Sequence, residues 1–404
     1  MIHSSYYRPK VFSNSGDLVE AEIDRAQELT ASTTINREKV KEIGRDGIVD
    51  WRQRIPSINL TLRQLEYGSM EFWRQLTGKG NSVTQVSWTD FKTATFDIAG
   101  YKTDDNGTFL GTIYYPKLRT ASLSINAGSP DGFIERSFSF VGEDEIMLQN
   151  ANKYLICQRY VIASGGNNCT VTVNTPSPVA DPDNSTSGTS VYFFKVVKHN
   201  VTTGATVLNS TDYSYVSGTG VLTINGASAT GDVIRVWFSA GTYTGTVFTN
   251  NDADLAGITA DSCSIYLASS NYLYRLQSAG IEVTFDREDI KEIGNLNTVS
   301  YGIRNITTRV TLGRILEAFT IEEVLRGKAG ASWGKLDVRQ FQDNLSLIVK
   351  VYTDASKRTF KLGYKLLDLA PTATEAGTPT ADYVTRGATL EGEVGFVTSN
   401  EAAL

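Results

Sequence analysis

Residues 35–44 read INREKVKEIG and residues 285–294 read FDREDIKEIG, six of ten positions identical at an offset of 250. A chain that carries one pattern twice folds it twice, so the repeat constrains the architecture more than any other feature. The likeness continues past the motif. Ile58, Leu60 and Leu62 alternate in SINLTL, and Thr308, Val310 and Leu312 alternate in TRVTL at the same offset. Each stretch then enters a short helical pattern that ends in glycine, 69–77 before Gly78 and 320–326 before Gly327. Glycine there supplies the left-handed exit from a helix. Near the end of each copy, Tyr115, Ala121, Gly128 and Pro130 match Tyr364, Ala370, Gly377 and Pro379 at an offset of 249.

Local patterns make each copy mostly β. In copy one, residues 18–33, 55–65, 93–101, 111–125 and 133–141 read as strands, with one helix after the second. Copy two repeats the plan from about 265 to 397. Asn36 and Asp286 are placed to cap a turn over REKVKEI and REDIKEI, with Gly44 and Gly294 as its exits. Ser69 caps the first helix, and Thr320 with Glu323 forms a capping box on the second. Phe72, Trp73 and Leu76 mark the buried face of the first helix. The fold class is therefore mainly β: two β-barrel or sandwich domains, each with one flanking helix. The long segments 18–33 and 268–284 are candidates to reach beyond their own domains.

The middle of the chain differs. Residues 151–265 contain no glutamate and hold 12 charged residues among 115, against 70 among the other 289. Thr, Ser, Gly and Asn fill the gap. Alternating runs at 191–197, 206–208, 221–224 and 233–238, separated by glycine turns, predict a small inserted antiparallel β domain. Residues 176–188 read as a long exposed loop within it. The expected organisation is an arm over 1–16, copy one over 17–150, the insertion over 151–265, copy two over 266–398 and a tail over 399–404.

The chain has 44 acidic and 38 basic residues, a formal net charge of −6. A mildly acidic chain is a poor nucleic-acid clamp. No apolar run reaches the roughly 18 residues that span a bilayer, so no membrane insertion is expected, and no secretory signal is visible. Two histidines, His3 and His199, leave general-base chemistry thinly supplied. Cys157, Cys169 and Cys263 are an odd set without C-x-x-C, which favours reduced thiols and gives zinc little support; a Cys157–Cys169 disulfide stays open. No nucleophile elbow, P-loop or dinucleotide fingerprint is present. Glu66/Glu71 and Glu143/Asp144/Glu145 are read as solvated or interface carboxylates. Asp181/Asp183/Asn184 and the run 250–254 are read as turn chemistry rather than calcium loops. The chain is expected to be no enzyme and to need no cofactor or metal.

What remains conspicuous is charge shared by both copies: Arg37, Glu38, Lys41 and Glu42, and Arg287, Glu288, Lys291 and Glu292. Their bland reading is a salt-bridged surface turn. The rival reading is an inter-domain or ring contact used twice, once per copy.

Residues 37–78, REKVKEIGRDGIVDWRQRIPSINLTLRQLEYGSMEFWRQLTG, resemble tail tube proteins, or major tail proteins, of tailed bacteriophages. The shared order is an E-I-G loop, a P-S-x-x-L-T strand and an E-Y-G-x-x-E-F-W helix. The resemblance covers about 17–150 directly and 266–398 through the repeat. It implies a tandem-duplicated tube domain in a structural virion protein of the tail, assembled in the host cytoplasm. It implies homotrimeric rings of pseudo-sixfold symmetry, stacked into a hollow tube that conducts viral DNA during ejection without binding it specifically. The implied partners are further copies of the chain, the tape measure, the tail terminator and the distal tail or baseplate proteins. The alternative is another tail or baseplate structural protein, or an adhesin whose inserted module binds glycans. The insertion is expected to project from the outer wall.

Overall fold

A computed structural model describes residues 7–13, 15–18, 20–35, 37–41, 48, 50–53, 56–103, 109–148, 154–173, 193, 195–200, 202–216, 219–240, 257–268, 271–290, 300–316, 320–328, 339, 341–376 and 384–404. The protein is mainly β, with two short α-helices, Glu71–Thr77 and Thr320–Leu325, among the described residues.

Both copies share one antiparallel sheet. Its order is Ala26–Thr34, Ser57–Leu65, Glu135–Gly142 and Phe109–Ala127 from copy one. Leu276–Ile290, Ser300–Ile315, Thr385–Gly392 and Phe360–Ala376 of copy two follow. Alternation decides its faces. Along Ser57–Leu65, Ile58, Leu60 and Leu62 are buried while Ser57, Asn59 and Thr61 are exposed, as expected of a sheet with one face on a core. The other face carries hydroxyls and amides, including Asn59, Thr61, Ser122, Ser124, Thr307 and Thr311, together with two rows of alternating charge, Glu28–Arg63–Glu135 and Glu282–Arg309–Glu391.

Each copy closes its core with a second sheet. In copy one this runs Ala21–Glu22, Tyr7–Ser13, Phe96–Thr103, the first half of Phe109–Ala127, then Ile146–Leu148. In copy two it runs Asn271–Tyr272, Cys263–Leu267, Leu345–Tyr352, the first half of Phe360–Ala376, then Val394–Thr398. The long strands Phe109–Ala127 and Phe360–Ala376 belong to both layers, so each copy is a sandwich folded around one bent strand. Lys117 (φ 51°) and Asp368 (φ 55°) take the left-handed conformation at the bend. The sheet register corrects the 249 offset beyond it. Val141 faces Arg119 while Glu391 faces Ala370, so Ala370 stands where Arg119 does, two residues out of step with Ala121. Extra residues in the copy-two bend absorb the slip without swapping faces, because side chains alternate with period two.

The first helix buries Phe72, Trp73 and Leu76. Trp73 meets Trp88, Phe91, Phe138 and Tyr364. Gly78 (φ 68°) makes the left-handed exit, and the Ser69 hydroxyl accepts from the Glu71 N–H at 3.2 Å. Gly327 (φ 64°) closes the second helix, whose buried apolar side chains are aliphatic, Ile321, Val324 and Leu325, beside the buried Glu322. The Thr320 side chain lies outside the described residues.

The capped-turn reading of the repeated motif is corrected. Arg37–Val40 is a strand paired with Asp50–Gln53, and Asp286 and Arg287 lie within Leu276–Ile290. The motif supplies the first arm of a β-hairpin in each copy: Arg37–Val40 with Asp50–Gln53 forms a two-stranded sheet of its own, and residues 286–290 with 300–305 end the shared sheet. Ladder bonds between the arms satisfy the backbone groups that a cap would have served.

Residues 154–240 build a separate sandwich. One sheet orders Tyr154–Val161, Val233–Ala240, Lys195–Asn200, Gly204–Val207; the other orders Gly166–Thr172, Val221–Ser228, Tyr213–Val216. Its own core contains Ile156, Val171, Phe193, Leu222, Val236 and Phe238. The loop expected over 176–188 and both calcium-type runs lie outside the described residues. Cys157, Cys169 and Cys263 are free thiols, which settles the open Cys157–Cys169 pairing.

Candidate assembly interface

The two copies meet edge to edge. Residues 279–284 of Leu276–Ile290 pair antiparallel with residues 122–127 of Phe109–Ala127, Ile281 opposite Ile125 and Val283 opposite Leu123. Beyond the ladder, Phe285 stacks on Phe91 with ring centroids 5.2 Å apart. Arg287 then donates from Nε to the Thr120 carbonyl at 2.6 Å and from a terminal nitrogen to the Phe91 carbonyl at 3.1 Å. The outer layer is joined too. Gln85–Ser87 of copy one pairs with Val394–Thr398 of copy two, and the Thr398 hydroxyl donates to the Thr84 carbonyl at 2.9 Å.

A buried polar cluster ties the cores together. Arg136, fully buried, donates to Gln64 Oε1 at 3.0 Å and to both Glu66 oxygens at 3.3 Å. Glu66 Oε1 also accepts the N–H groups of Tyr67 and Gly68, and Oε2 accepts the Tyr364 hydroxyl at 2.5 Å. Burial, reinforced by the Glu66 carboxylate, pushes the Tyr364 hydroxyl well above its ordinary pKa, so it stays protonated and donates. Of the two readings of Glu66, solvated or interface, the solvated one is excluded: its carboxylate is sealed between the copies and saturated with donors. Copy two has its own version, in which Glu322 accepts a hydrogen bond from Arg314 at 2.5 Å and forms an ion pair with Arg386 at 3.2 Å.

The eight repeated charges are placed unequally. Arg37, Glu38 and Lys41 are exposed on the copy-one hairpin, and Glu288 is exposed on the copy-two hairpin, 3.4 Å from Arg304. Arg287 is half-buried against copy one. Glu42, Lys291 and Glu292 lie outside the described residues. Sequence reasoning missed the apolar partners of these charges. Phe285 is 3% exposed, yet Ile35, at the same place in the repeat, is 61% exposed. Phe91 is 0% exposed, yet Phe341, 250 residues later, is 38% exposed. The signal was available in the first position of the ten-residue motif, where Ile35 matches Phe285.

The inserted module sits on the far side of copy one from the hydroxyl-lined face. Phe12, Ala99, Tyr101 and Tyr114 form an apolar patch with Leu155, Cys157, Val197 and Trp237 of the module. Polar contacts surround it: Tyr101 Oη to the Leu155 carbonyl at 2.6 Å, Lys195 to Asp97 at 2.8 Å, and Arg235 to the Ser13 and Ser15 carbonyls. Burial pushes the Cys157 thiol up to about 12, so it is an inert packing group rather than a nucleophile. Among the described residues no group of three or more His, Cys, Asp or Glu is arranged to hold a metal ion.

No protein family matches the chain, and no curated protein does. Among solved structures, one similar chain comes from the PVC sheath–tube complex of an extracellular contractile injection system in its extended state. It is 9% identical over 38% of this chain and 100% of its own length, with a TM-score of 0.29. Another comes from the six-fold symmetrised baseplate of the anti-feeding prophage (AFP), 12% identical over 35% of this chain and 92% of its own, with a TM-score of 0.26. At these scores neither likeness carries a functional inference.

Proposed function

We propose that the chain is a structural tail protein, without catalytic activity, whose copies polymerise as stacked rings into a hollow tail tube that conducts viral DNA. The observation that carries this reading is the strand-paired junction between the copies. It joins two equivalent sandwiches side by side and leaves an equivalent edge at either end, Ala26–Thr34 and the second half of Phe360–Ala376. Six sandwiches, three chains, make each ring, as the resemblance of residues 37–78 to tail tube proteins implies. Two placements support the direction of the wall. The hydroxyl-bearing face, on which Glu28, Glu135, Glu282 and Glu391 outnumber Arg63 and Arg309, suits a surface along which a polyanion slides, since phosphate affinity comes mainly from Lys and Arg. The module occupies the opposite side, where it leaves a lumen clear. Electron microscopy of the purified protein, with native mass spectrometry of any rings, tests the proposal. Hollow tubes with three chains per ring are expected. Six chains per ring would refute the stoichiometry. A protein that forms no ring or tube, with few copies per virion, would favour a tip or adhesin role instead.

A further inference from the structure

The internal junction is a template for a contact with a second copy of the chain. The strand edges that meet at this junction have counterparts at the outer edges of the shared sheet. The shared-sheet ladders fix the equivalences. Ala31 faces Leu60 as Ile281 faces Val310, so Ala26–Thr34 stands for the joining strand of copy two. Arg136 faces Ile125 as Arg386 faces Ala376, and Phe140 faces Thr120 as Leu390 faces Pro371, so residues 371–376 stand for 120–125.

Resting on the ring reading above, we propose that Ala26–Thr34 of one chain pairs antiparallel with residues 373–376 of the next, with Ala31 opposite Ala376 and Thr33 opposite Thr374. Ile35 then covers Phe341 of the neighbour as Phe285 covers Phe91. Arg37 donates to the neighbour's Phe341 and Pro371 carbonyls as Arg287 donates to those of Phe91 and Thr120. Three features agree on this occupant. Residues 31–35 are all exposed, whereas Ile281, Val283 and Phe285 at the matching places are buried. Ile35, which takes the place of the buried Phe285, and Phe341, which follows Phe91 by 250 residues, are both large exposed hydrophobics, whereas Phe285 and Phe91 stack on each other. Arg37 keeps the guanidinium that, as Arg287, bridges two carbonyls. An exposed edge invites pairing of any kind; here the short Thr/Ser-rich edge is paired selectively, because the apolar and arginine contacts beyond it fix the register.

The two extra residues in the copy-two bend set the register of the outer edge. The 249 offset would shift the pairing by two residues; the ladders place Thr33 on Thr374. The double variant T33C/T374C, oxidised or bridged with a short bismaleimide, should yield covalent dimers and trimers on a denaturing gel. Neither single variant should. S32C/T374C puts the thiols on opposite faces of the ladder and should give at least tenfold less product. I35D should abolish ring closure while the isolated chain keeps its circular dichroism, and R37A should raise the concentration needed for rings about tenfold, the scale of one charge-assisted hydrogen bond. Rings that form with no T33C/T374C product, or that survive I35D unchanged, overturn the proposed contact and leave the ring reading standing. A wild-type chain that forms no rings at any concentration overturns both.

Discussion

Glu66 illustrates how much one side chain can hold when it is placed between two domains. Its carboxylate neutralises a fully buried arginine of copy one, accepts two backbone N–H groups and receives a tyrosine hydroxyl from copy two. Replacing a buried ion pair by apolar groups is often harmless, but removing one member strands the other. Glu66→Ala leaves Arg136 without its counter-ion beneath the Tyr67, Phe72 and Trp73 rings. The expected loss is about 3–5 kcal/mol of unfolding free energy, measured by chemical denaturation. A loss below about 1 kcal/mol, the range of an exposed pair, would mean that Arg136 finds water on relaxation. Tyr364→Phe removes only the hydroxyl and should cost much less.

At the scale of elements, the strand Phe96–Thr103 explains why the module is docked rather than tethered. Phe96 and Ile98 face the sandwich core while Asp97, Ala99 and Tyr101 face the module. A strand covered on both sides loses the alternation of a half-solvated one. Lys195–Asn200 of the module carries His199, which packs against Gly16 of copy one. Burial, then the neighbouring Arg235, Lys195 and Arg159, lowers its pKa from 6.5 to about 4. A folded pKa below the unfolded one means that the neutral form is favoured by folding. His199 therefore contributes stability that is fully present above pH 6.5 and is lost as the pH falls through 4. The thermal midpoint should fall across that window, and His199→Gln should flatten the slope. An unchanged slope in the variant would assign the acid sensitivity to carboxylates instead.

For the whole molecule, the module's docking alters what its removal does. Cutting at about 155–262, as the composition suggests, takes out Ile258, whose N–H donates to the Glu66 carbonyl at 2.8 Å and whose carbonyl accepts from Ile134 at 2.9 Å. It also removes Ala260, which donates to Gly132. A cut over 154–256 spares these bonds but still uncovers Phe12, Tyr101 and Tyr114. Exposed apolar patches of this kind drive association. The shorter deletion, closed with a Gly/Ser linker, is expected to assemble into thinner tubes that bind more of a hydrophobic dye than the full chain. With Phe12→Ser and Tyr114→Ser added, dye binding should return to the full-chain level. Folded single chains that never assemble would place the module within the ring contact and contradict its outward position.

The sequence by itself determined the mainly β class and the duplicated pattern. It did so because repetition and period-two alternation are local: SINLTL and TRVTL alternate wherever they sit, and Gly78 and Gly327 end their helices by a conformation that depends on their own backbone. It also supplied the four conspicuous charges in each copy. Their fates depended on the tertiary structure. Arg37 and Arg287 occupy the same place in the same motif, yet one is exposed and the other bridges two carbonyls, because only Arg287 has another copy beside it in the chain. The reading of REKVKEI as a capped turn failed for a related reason. Capping residues and a terminal glycine suit a turn, but a partner strand whose paired residues lie 10 to 16 positions away offered the backbone a ladder instead. Glu66, read from its charge as solvated or at an interface, is buried at one because Arg136 and Tyr364 arrive from 70 and 298 residues away. Charge, capping and alternation are properties of a segment, whereas burial belongs to the pairings that distant segments make.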